Sequence, residues 1–278
     1  MKTSTAPVHV ACTLADAVAL RAEHPDATVL AGGTDVMVQM EAGTLSPRVV
    51  IDLWRCAELR GISDDGRRLG ALTTFLDLQR HPAVPEALRE CARTIGAVQI
   101  QARGTVGGNI VNASPAGDSL PLWLALDARF ELAGPLGHRE VAASEFWLAY
   151  RKTALAPDEL LVAIHLPPLA GSLHYRKVGT RLAQAISKVV LGSRIVIVDG
   201  IVTDARVALG SVGPVPLRAR NVEAALIGRP VDPAAADAVA ADIRPIDDIR
   251  STALYRLKVS RNVIRGWLTC VAQGAGQV

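Results

Sequence analysis

Two glycine-rich segments contain the residues of this sequence best suited to binding chemistry. The first, LAGGTDVMVQM, covers residues 30–40, and the second, RGTVGGNIVNASPAGDSLP, covers residues 103–121. Each places a pair of adjacent glycines close to a threonine. Backbone amides exposed at glycines form anion-binding nests, and the missing Cβ lets the chain approach a phosphate closely. Two such segments favour a diphosphate as ligand, although any single glycine among them has the alternative role of a structural connector.

Local patterns indicate how the two segments are built. ATVLAGG, residues 27–33, is typical of a short buried strand that ends in glycines, and VMVQMEA, residues 36–42, of a short helix. Thr34 or Asp35 is placed to cap this helix, which would direct free amides at the same anion. Asp35 is interpreted as a helix cap rather than a phosphate ligand, because two negative groups repel. The second segment is predicted to be a long, shaped loop over most of its length.

Several familiar site patterns are missing from the sequence. The spacing of GTVGGN differs from the dinucleotide-binding GxGxxG pattern, and no GxxxxGK[ST], HExxH or GxSxG is present. The six histidines never fall at metal-binding helical spacing and are interpreted as surface or packing residues. The four tryptophans are interpreted as core or interface residues. The four cysteines are widely separated and include no CxxC pair, which argues against a disulfide framework, a zinc site or an iron–sulfur cluster.

Composition excludes other classes of function. The chain has 278 residues, of which 50% are hydrophobic, so it can bury a large core and is long enough for two domains. Thirty basic and 27 acidic side chains give a net charge of +3 without a run of basic residues. This balance argues against nucleic acid or a membrane surface as partner. The N-terminus lacks a signal-peptide pattern and no apolar run reaches membrane-spanning length, so a cytoplasmic protein is expected.

Strand and helix patterns alternate along the chain. Helices are predicted at TLADAVALRAEHP, TFLDLQRHPAV and PEALRECARTIG, and strands at RVVIDL, RRLGALTT, RFELAG and ELLVAIHLP. Proline and glycine cluster in LPPLAG, residues 166–171, and a new series of strands and helices follows. We therefore predict two domains, residues 1–169 and 170–278.

The two glycine segments together resemble the flavin-binding motifs of the FAD-containing medium subunit of molybdenum hydroxylases, the xanthine dehydrogenase and carbon monoxide dehydrogenase family. The resemblance extends over the whole chain, through IDLWRCAELRGI, YRKTALAPDELL, YRKVGTRLAQAISKV and VALGSVGPVPLRARNVEAAL to STALYRLKVSRNVIRGWL. It implies an α+β protein. A PCMH-type FAD-binding domain of two α/β subdomains would enclose an extended FAD, followed by a small C-terminal domain with a three-stranded antiparallel sheet and helices.

The resemblance also implies which residues contact FAD. The first segment would wrap the diphosphate, the second would line the diphosphate and ribityl side, and Asp118 would lie near the adenosine end. Ile95 and Leu161 would pack on the cofactor, with core packing as the alternative, and Lys177 would lie near the flavin. The implied cofactor-binding residues are Val29, Leu30, Ala31, Gly32, Gly33, Thr34, Asp35, Val36, Ile95, Thr105, Val106, Gly107, Gly108, Asn109, Ser114, Asp118, Leu161 and Lys177.

The family further implies a function within a complex. A molybdopterin-binding large subunit would oxidise a small molecule, a small subunit with [2Fe-2S] clusters would relay electrons, and FAD on this chain would pass them to NAD+ or another acceptor. No catalytic residue and no metal ligand are expected on the chain itself. The chain departs from many relatives at Gln101-Ala102, where they have Arg-Asn. Two alternatives remain: a stand-alone flavin oxidase of the vanillyl-alcohol oxidase type, and a non-catalytic scaffold.

Overall fold

The computed structural model describes residues 6–274. Its strands are β1 (Val8–Val10), β2 (Thr28–Leu30), β3 (Val50–Asp52), β4 (Arg68–Gly70), β5 (Arg129–Gly134), β6 (Gly137–Ala142), β7 (Trp147–Ala149), β8 (Lys152–Thr153), β9 (Leu160–His165), β10 (Ser172–Val178), β11 (Val189–Val198), β12 (Ile201–Gly210) and β13 (Leu217–Arg218). Its helices are α1 (Leu14–Glu23), α2 (Val36–Glu41), α3 (Phe75–Arg80), α4 (Glu86–Thr94), α5 (Val98–Gln101), α6 (Val106–Asn112), α7 (Leu120–Ala125), α8 (Ala143–Phe146), α9 (Arg220–Leu226), α10 (Val239–Asp242) and α11 (Ala253–Ala272). Short 3₁₀ helices cover Ala57–Leu59 and Pro233–Ala238.

The N-terminal layer is a parallel sheet in the strand order β1-β3-β2. The predicted strand in ATVLAGG is confirmed as β2, and the predicted helix before it as α1. α1 begins after Thr13, whose hydroxyl accepts a hydrogen bond from the Asp16 amide while the Asp16 carboxylate accepts one from the Thr13 amide. Because β2 ends at Leu30, the first glycine segment starts at the carboxyl end of a parallel strand, where ligands commonly bind.

A second sheet, antiparallel in the order β4-β9-β5-β6, forms the rest of the N-terminal half. α3, α4 and α7 bury their apolar sides against a core that includes Phe130, Phe146 and Trp147, whose rings meet edge to face at 4.8–5.7 Å. The two sheets of this half carry the two glycine segments: one follows β2, and the other lies between α5 and α7.

The C-terminal half is built on the antiparallel sheet β10-β11-β12-β13. Three of its strands have 7 or 10 residues, whereas β13 has only two. The expected three-stranded sheet is thus present with a short fourth strand at its edge. α9, α10 and α11 cover one face around Ile264, Trp267 and Leu268. α11, the longest helix, begins after Thr252, whose hydroxyl accepts from the Tyr255 amide.

The two halves are in close contact. An ideal Cβ at Gly192 on β11 would lie 2.9 Å from the Leu122 amide, so glycine lets the start of α7 rest directly on the sheet. Asp127, just after α7, accepts hydrogen bonds from Arg194, Arg206 and Arg218 of the C-terminal half. These contacts hold one half against the other.

Residues 6–274 contain no helix that is both long and apolar enough to cross a membrane. No group of three or more histidine, cysteine, aspartate or glutamate side chains in this range is arranged to hold a metal ion. Cys12, Cys56, Cys91 and Cys270 are free thiols.

Candidate functional site

The two glycine segments pack against each other without an intervening side chain. An ideal Cβ at Gly32 would lie 1.7 Å from the carbonyl oxygen of Arg103, so no residue with a side chain fits there without moving backbone. The Arg103 guanidinium lies 3.6 Å from the centre of the Trp54 ring, and the Arg60 guanidinium lies 4.2 Å from it. Trp54 is only half-buried and contacts two cations, so its interpretation as an ordinary packing residue misses this role.

The first segment offers a row of free backbone donors. Among residues 6–274, no group accepts a hydrogen bond from the amides of residues 32–36. Gly33 has φ +79°, a left-handed conformation that glycine adopts at no steric cost. Successive unpaired amides around a left-handed residue form a concave anion site. The segment therefore has the free amides that the predicted phosphate site requires.

Asp35 does not cap the following helix. It stands at the N-cap position of α2, but its backbone is helical and its carboxylate makes no capping hydrogen bond. Oδ2 of Asp35 instead accepts from the side-chain amide of Gln39. The prediction of Asp35 as a capping side chain is wrong, because Gln39, one turn along, competes for the carboxylate. As a result, the amides at the start of α2 stay free.

The second segment differs from the prediction. Its centre, residues 106–112, is helix α6 rather than loop, with Thr105 at the N-cap. The Val106 amide donates to the carbonyl of Thr73, the Gly107 amide to that of Ala71, and the Gly108 amide to the Thr105 hydroxyl. These amides are therefore not free to form an anion nest, contrary to the prediction. Those of Val106 and Gly107 attach α6 to residues 71–74, and that of Gly108 is used by the helix cap.

The two glycines of this segment have different surroundings. An ideal Cβ at Gly107 would lie 2.7 Å from both the Cβ and the carbonyl oxygen of Ala71, so Gly107 permits close packing. Gly108 is exposed, and an ideal Cβ there would meet only the Thr105 hydroxyl, at 2.8 Å, within 4 Å. Gly108 thus contributes to the surface that a ligand can reach, whereas Gly107 holds that surface in place.

Two cavities meet at the glycine segments. One, of about 730 Å³, lies between both segments and a mostly apolar wall that includes Leu53, Phe75 and Leu160. The other, of about 1090 Å³, lies between the two halves of the chain and has a more mixed lining, with Ser114, Asp118 and Ser187 among its polar residues. We call them the inner cavity and the interface cavity. Cavities of this size are typical of cofactor sites.

Most of the residues predicted to contact FAD line one of these cavities. Ser114 and Asp118 line the interface cavity, and Asp35 lines both. Leu30, Val106 and Lys177 line neither; Val106 belongs to the hydrophobic core and Lys177 lies behind Asp118. The predicted residues on the inner cavity are Val29, Ala31, Gly32, Gly33, Thr34, Asp35, Val36, Ile95, Thr105, Gly107, Gly108, Asn109 and Leu161.

Asp118 has an unpaired oxygen at the interface cavity. Oδ2 accepts from Lys177 Nζ at 2.7 Å, whereas the buried Oδ1 has no hydrogen-bond partner among the described residues. Burial raises the pKa of the Asp118 carboxyl above its ordinary value, and the Lys177 ammonium reverses only part of that rise. A buried oxygen without a donor is costly, so this position suits a ligand that supplies an N–H or O–H group.

The Asp118–Lys177 contact corrects the expected arrangement. The resemblance placed Asp118 near the adenosine and Lys177 near the flavin, at opposite ends of an extended cofactor. Because their side chains touch, they cannot lie at opposite ends of an extended ligand.

Gln101 stands where the resemblance leads one to expect arginine. Its buried side-chain amide donates to the carbonyls of Arg93 and Ile95, and Ile95 lines the inner cavity. Gln101 therefore supports the wall of that cavity.

Sequence reasoning missed Ile100, Asn112 and Arg151. Among residues 6–274, these three and Asp35 are the residues that line both cavities. The sequence offered one weak signal: Arg151 belongs to YRKTALAPDELL, one of the segments on which the resemblance rests. Asn112 lies in the second glycine segment, but its role depends on α6, which the loop prediction did not include.

The geometry places a row of unpaired backbone amides at the junction of two cavities of the size that cofactor sites have. Two family descriptions match the chain: "FAD binding domain in molybdopterin dehydrogenase" over residues 3–169, and "CO dehydrogenase flavoprotein C-terminal domain" over residues 174–271. The chain belongs to this family, the FAD-binding medium subunits of the xanthine dehydrogenase and carbon monoxide dehydrogenase oxidoreductases.

Individual relatives agree over nearly the full length. The putative xanthine dehydrogenase FAD-binding subunit XdhB of Escherichia coli K12 is 34% identical, covering 98% of this chain and 97% of its own. The carbon monoxide dehydrogenase medium chain of Hydrogenophaga pseudoflava is 32% identical, and the match covers 94% of this chain and 97% of that protein. A solved carbon monoxide dehydrogenase structure from that organism superimposes with TM-score 0.89 at 33% identity, covering 94% and 95%. The structure of quinoline 2-oxidoreductase from Pseudomonas putida 86 superimposes with a TM-score of 0.91 at 25% sequence identity, and the match covers 99% of each chain.

Proposed function

We propose that the chain binds one extended FAD across both cavities, with the diphosphate over the amides of residues 32–36. The observation that carries the proposal is this row of five unpaired amides at the junction of two cavities. A diphosphate is the group of FAD that needs such donors, and it joins two bulky halves that need separate cavities. The predicted contacts on both glycine segments, on Ile95 and on Leu161 follow from this placement.

The two cavities differ in a way that orients the cofactor. The isoalloxazine is the larger ring system and has N–H and carbonyl groups on its edge, which suits the larger interface cavity with its unpaired Asp118 oxygen. The adenine suits the smaller inner cavity, whose wall includes Ile95 and Leu161. In this orientation Lys177 would hold the Asp118 carboxyl close to the flavin.

We infer that the chain serves as the flavin subunit of a molybdenum-dependent dehydrogenase complex. When bound, FAD supplies both one-electron and two-electron chemistry, while the chain binds and orients it. Electrons would come from a molybdopterin-binding large subunit through a [2Fe-2S] small subunit and would leave to NAD+ or another acceptor. Support comes from the family and from relatives named as xanthine or carbon monoxide dehydrogenase subunits. A cytoplasmic location and a domain boundary between residues 169 and 170 belong to the same proposal.

The first test is to identify the flavin. The purified chain should be yellow, and acid or heat should release FAD that chromatography identifies. FMN, or no flavin even after incubation with FAD, would overturn the cofactor assignment and favour a scaffold. Turnover of a small-molecule substrate by the isolated yellow chain would instead favour the stand-alone oxidase.

The second test concerns the partners. Native mass spectrometry of the protein isolated from its own cells should show it with an iron–sulfur subunit and a molybdopterin subunit, as a dimer of heterotrimers. Recovery of the chain alone from cells that contain active complex would contradict the proposed electron path.

A further inference from the structure

We propose that Arg151 is a ligand of the cofactor's diphosphate, a role that the sequence analysis did not assign to it. The inference rests on the proposed function, because it concerns the same site. Among residues 6–274, only four line both cavities, and Arg151 is the single cation among them. A molecule that occupies both cavities must pass these four residues, so its charged linking group lies next to the guanidinium.

The positive charge of Arg151 offsets the negative charge of Asp35 beside the free amides of residues 32–36. Asp35 belongs to the nest, and its carboxylate would repel a diphosphate placed over the neighbouring amides. Arg151 Nη1 lies 4.0 Å from Asp35 Oδ2, close enough to offset that charge. Guanidinium groups bind phosphate oxygens through two parallel N–H donors, a geometry that a lysine does not match.

The guanidinium is held in place but keeps free donors. Nη1 donates to Asn112 Oδ1 at 2.7 Å, which ties Arg151 to the last residue of α6. This is its only hydrogen bond within residues 6–274, so its other N–H groups remain available. The Arg151 side chain is 42% exposed, consistent with a group that faces the cavities rather than the core.

The backbone at Arg151 is also unusual. With Tyr150 it forms the two-residue connection between β7 and β8, and its φ is +52°, in the left-handed region that residues with a side chain seldom adopt. Such conformations cost free energy and occur preferentially at ligand sites. Here the conformation belongs to a hairpin end that places both Tyr150 and Arg151 on the interface cavity.

The test distinguishes two roles of Arg151, contact with the diphosphate and support of the β7–β8 hairpin. The full-length chain, freed of flavin, is titrated with FAD by fluorescence, and ADP and adenosine are measured by competition with FAD. ADP and adenosine differ only in the diphosphate. Arg151→Met is expected to weaken FAD and ADP by about tenfold or more, the loss typical of a charge-assisted hydrogen bond, and to leave adenosine unchanged. Lys152→Met, which removes the adjacent exposed cation that lines neither cavity, is the matched control and should change none of the three.

A second variant covers the case in which Arg151→Met does not fold. Arg151→Gln keeps a polar, hydrogen-bonding side chain but removes the charge and the paired guanidinium donors, and it should weaken FAD and ADP in the same way. Unchanged FAD affinity in a folded variant would overturn the inference. Equal losses for ADP and adenosine would also overturn it, because they would indicate a role in hairpin structure. Failure of the parent chain to bind FAD would instead overturn the proposed function.

Discussion

The ammonium of Lys177 lies 2.7 Å from Oδ2 of Asp118, although the two residues are 59 positions apart. Both side chains are about nine-tenths buried, and Lys177 also donates to the carbonyl of Thr94 at 2.9 Å. The pair joins the first strand of the C-terminal half to the end of the second glycine segment. It thereby fixes one wall of the interface cavity.

Lys177→Met should destabilise the chain by about 3–5 kcal/mol near neutral pH, because it leaves Asp118 as a buried charge without a partner. The double variant Lys177→Met with Asp118→Asn should lose less than the single variant, since no buried charge remains. Urea unfolding of all forms gives the comparison. Equal losses in the single and double variants would show that the ion pair contributes little.

The pH dependence of Lys177→Met follows from the raised pKa of Asp118. A carboxyl whose pKa is higher in the folded state binds its proton more readily there than in the unfolded chain. The stability of this variant should therefore increase as pH falls through the folded pKa towards the ordinary value of 3.8. The free energy of unfolding of the double variant is subtracted at each pH, which isolates the contribution of Asp118. If the remaining stability falls as pH falls over this range, the raised pKa of Asp118 is contradicted.

Gly32→Ala and Gly108→Ala should have different effects, because Gly32 permits the packing of the site whereas Gly108 lies on the surface that the ligand contacts. The Gly32 methyl would overlap the Arg103 carbonyl, so the flavin-free protein should lose about 1–3 kcal/mol or more. At Gly108 the methyl crowds only the capping Thr105 hydroxyl, and alanine's helix propensity offsets that cost, so stability should change little. Both variants should bind FAD more weakly. Melting curves with and without FAD test this, and an equal loss of stability in the two flavin-free variants would refute it.

Trp54→Leu should weaken FAD binding although Trp54 lines neither cavity. Its ring contacts the guanidinium groups of Arg60 and Arg103, each contact stabilising by about 0.5–1 kcal/mol, and Arg103 packs directly on Gly32. Trp54→Phe should retain part of both contacts and part of the affinity. Fluorescence titration with FAD provides the measurement. If Trp54→Leu binds FAD as tightly as the parent, the contacts of Trp54 with Arg60 and Arg103 do not support the binding site.

Acid should remove stability through Glu131. Burial acts to raise the pKa of this carboxyl, but hydrogen bonds with His165 and His138 and the charge of Arg68 outweigh burial, so the net shift is downward. A carboxyl with a lowered folded pKa stabilises above its ordinary value of 4.5, and that contribution is lost as pH falls through the folded pKa. Melting temperatures measured from neutral pH into this acid range should therefore fall less in Glu131→Gln than in the parent. Equal falls in Glu131→Gln and the parent would contradict this role of Glu131.

Much of the fold was predictable because its signals are local. Apolar periodicity indicated α1, β2 and the strands of both halves, and the sheet of the C-terminal half was expected from the family resemblance. Thr13 and Thr74 begin their helices with capping boxes, which depend only on residues three positions apart. The free amides of residues 32–36 were also predictable, since a glycine pair after a strand favours a left-handed turn without intrachain partners.

The second glycine segment shows where local reasoning fails. Its glycines allow either a nest or a close-packed helix, and sequence spacing does not distinguish between them. The outcome depends on the carbonyls of Ala71 and Thr73, more than 30 positions away, which accept the amides of Gly107 and Val106. A glycine's conformational freedom is a local property, whereas the partner of its amide is supplied by the rest of the fold.

The sequence by itself determined the class of protein and the two segments that carry the site, through the types and order of residues along the chain. Only the tertiary structure brought Asp118 to Lys177 and Arg151 to the junction of the cavities. Those relationships join residues from separate elements. Pairing and cavity shape depend on distances in space, which the packing of sheets and helices sets and which no spacing along the chain encodes.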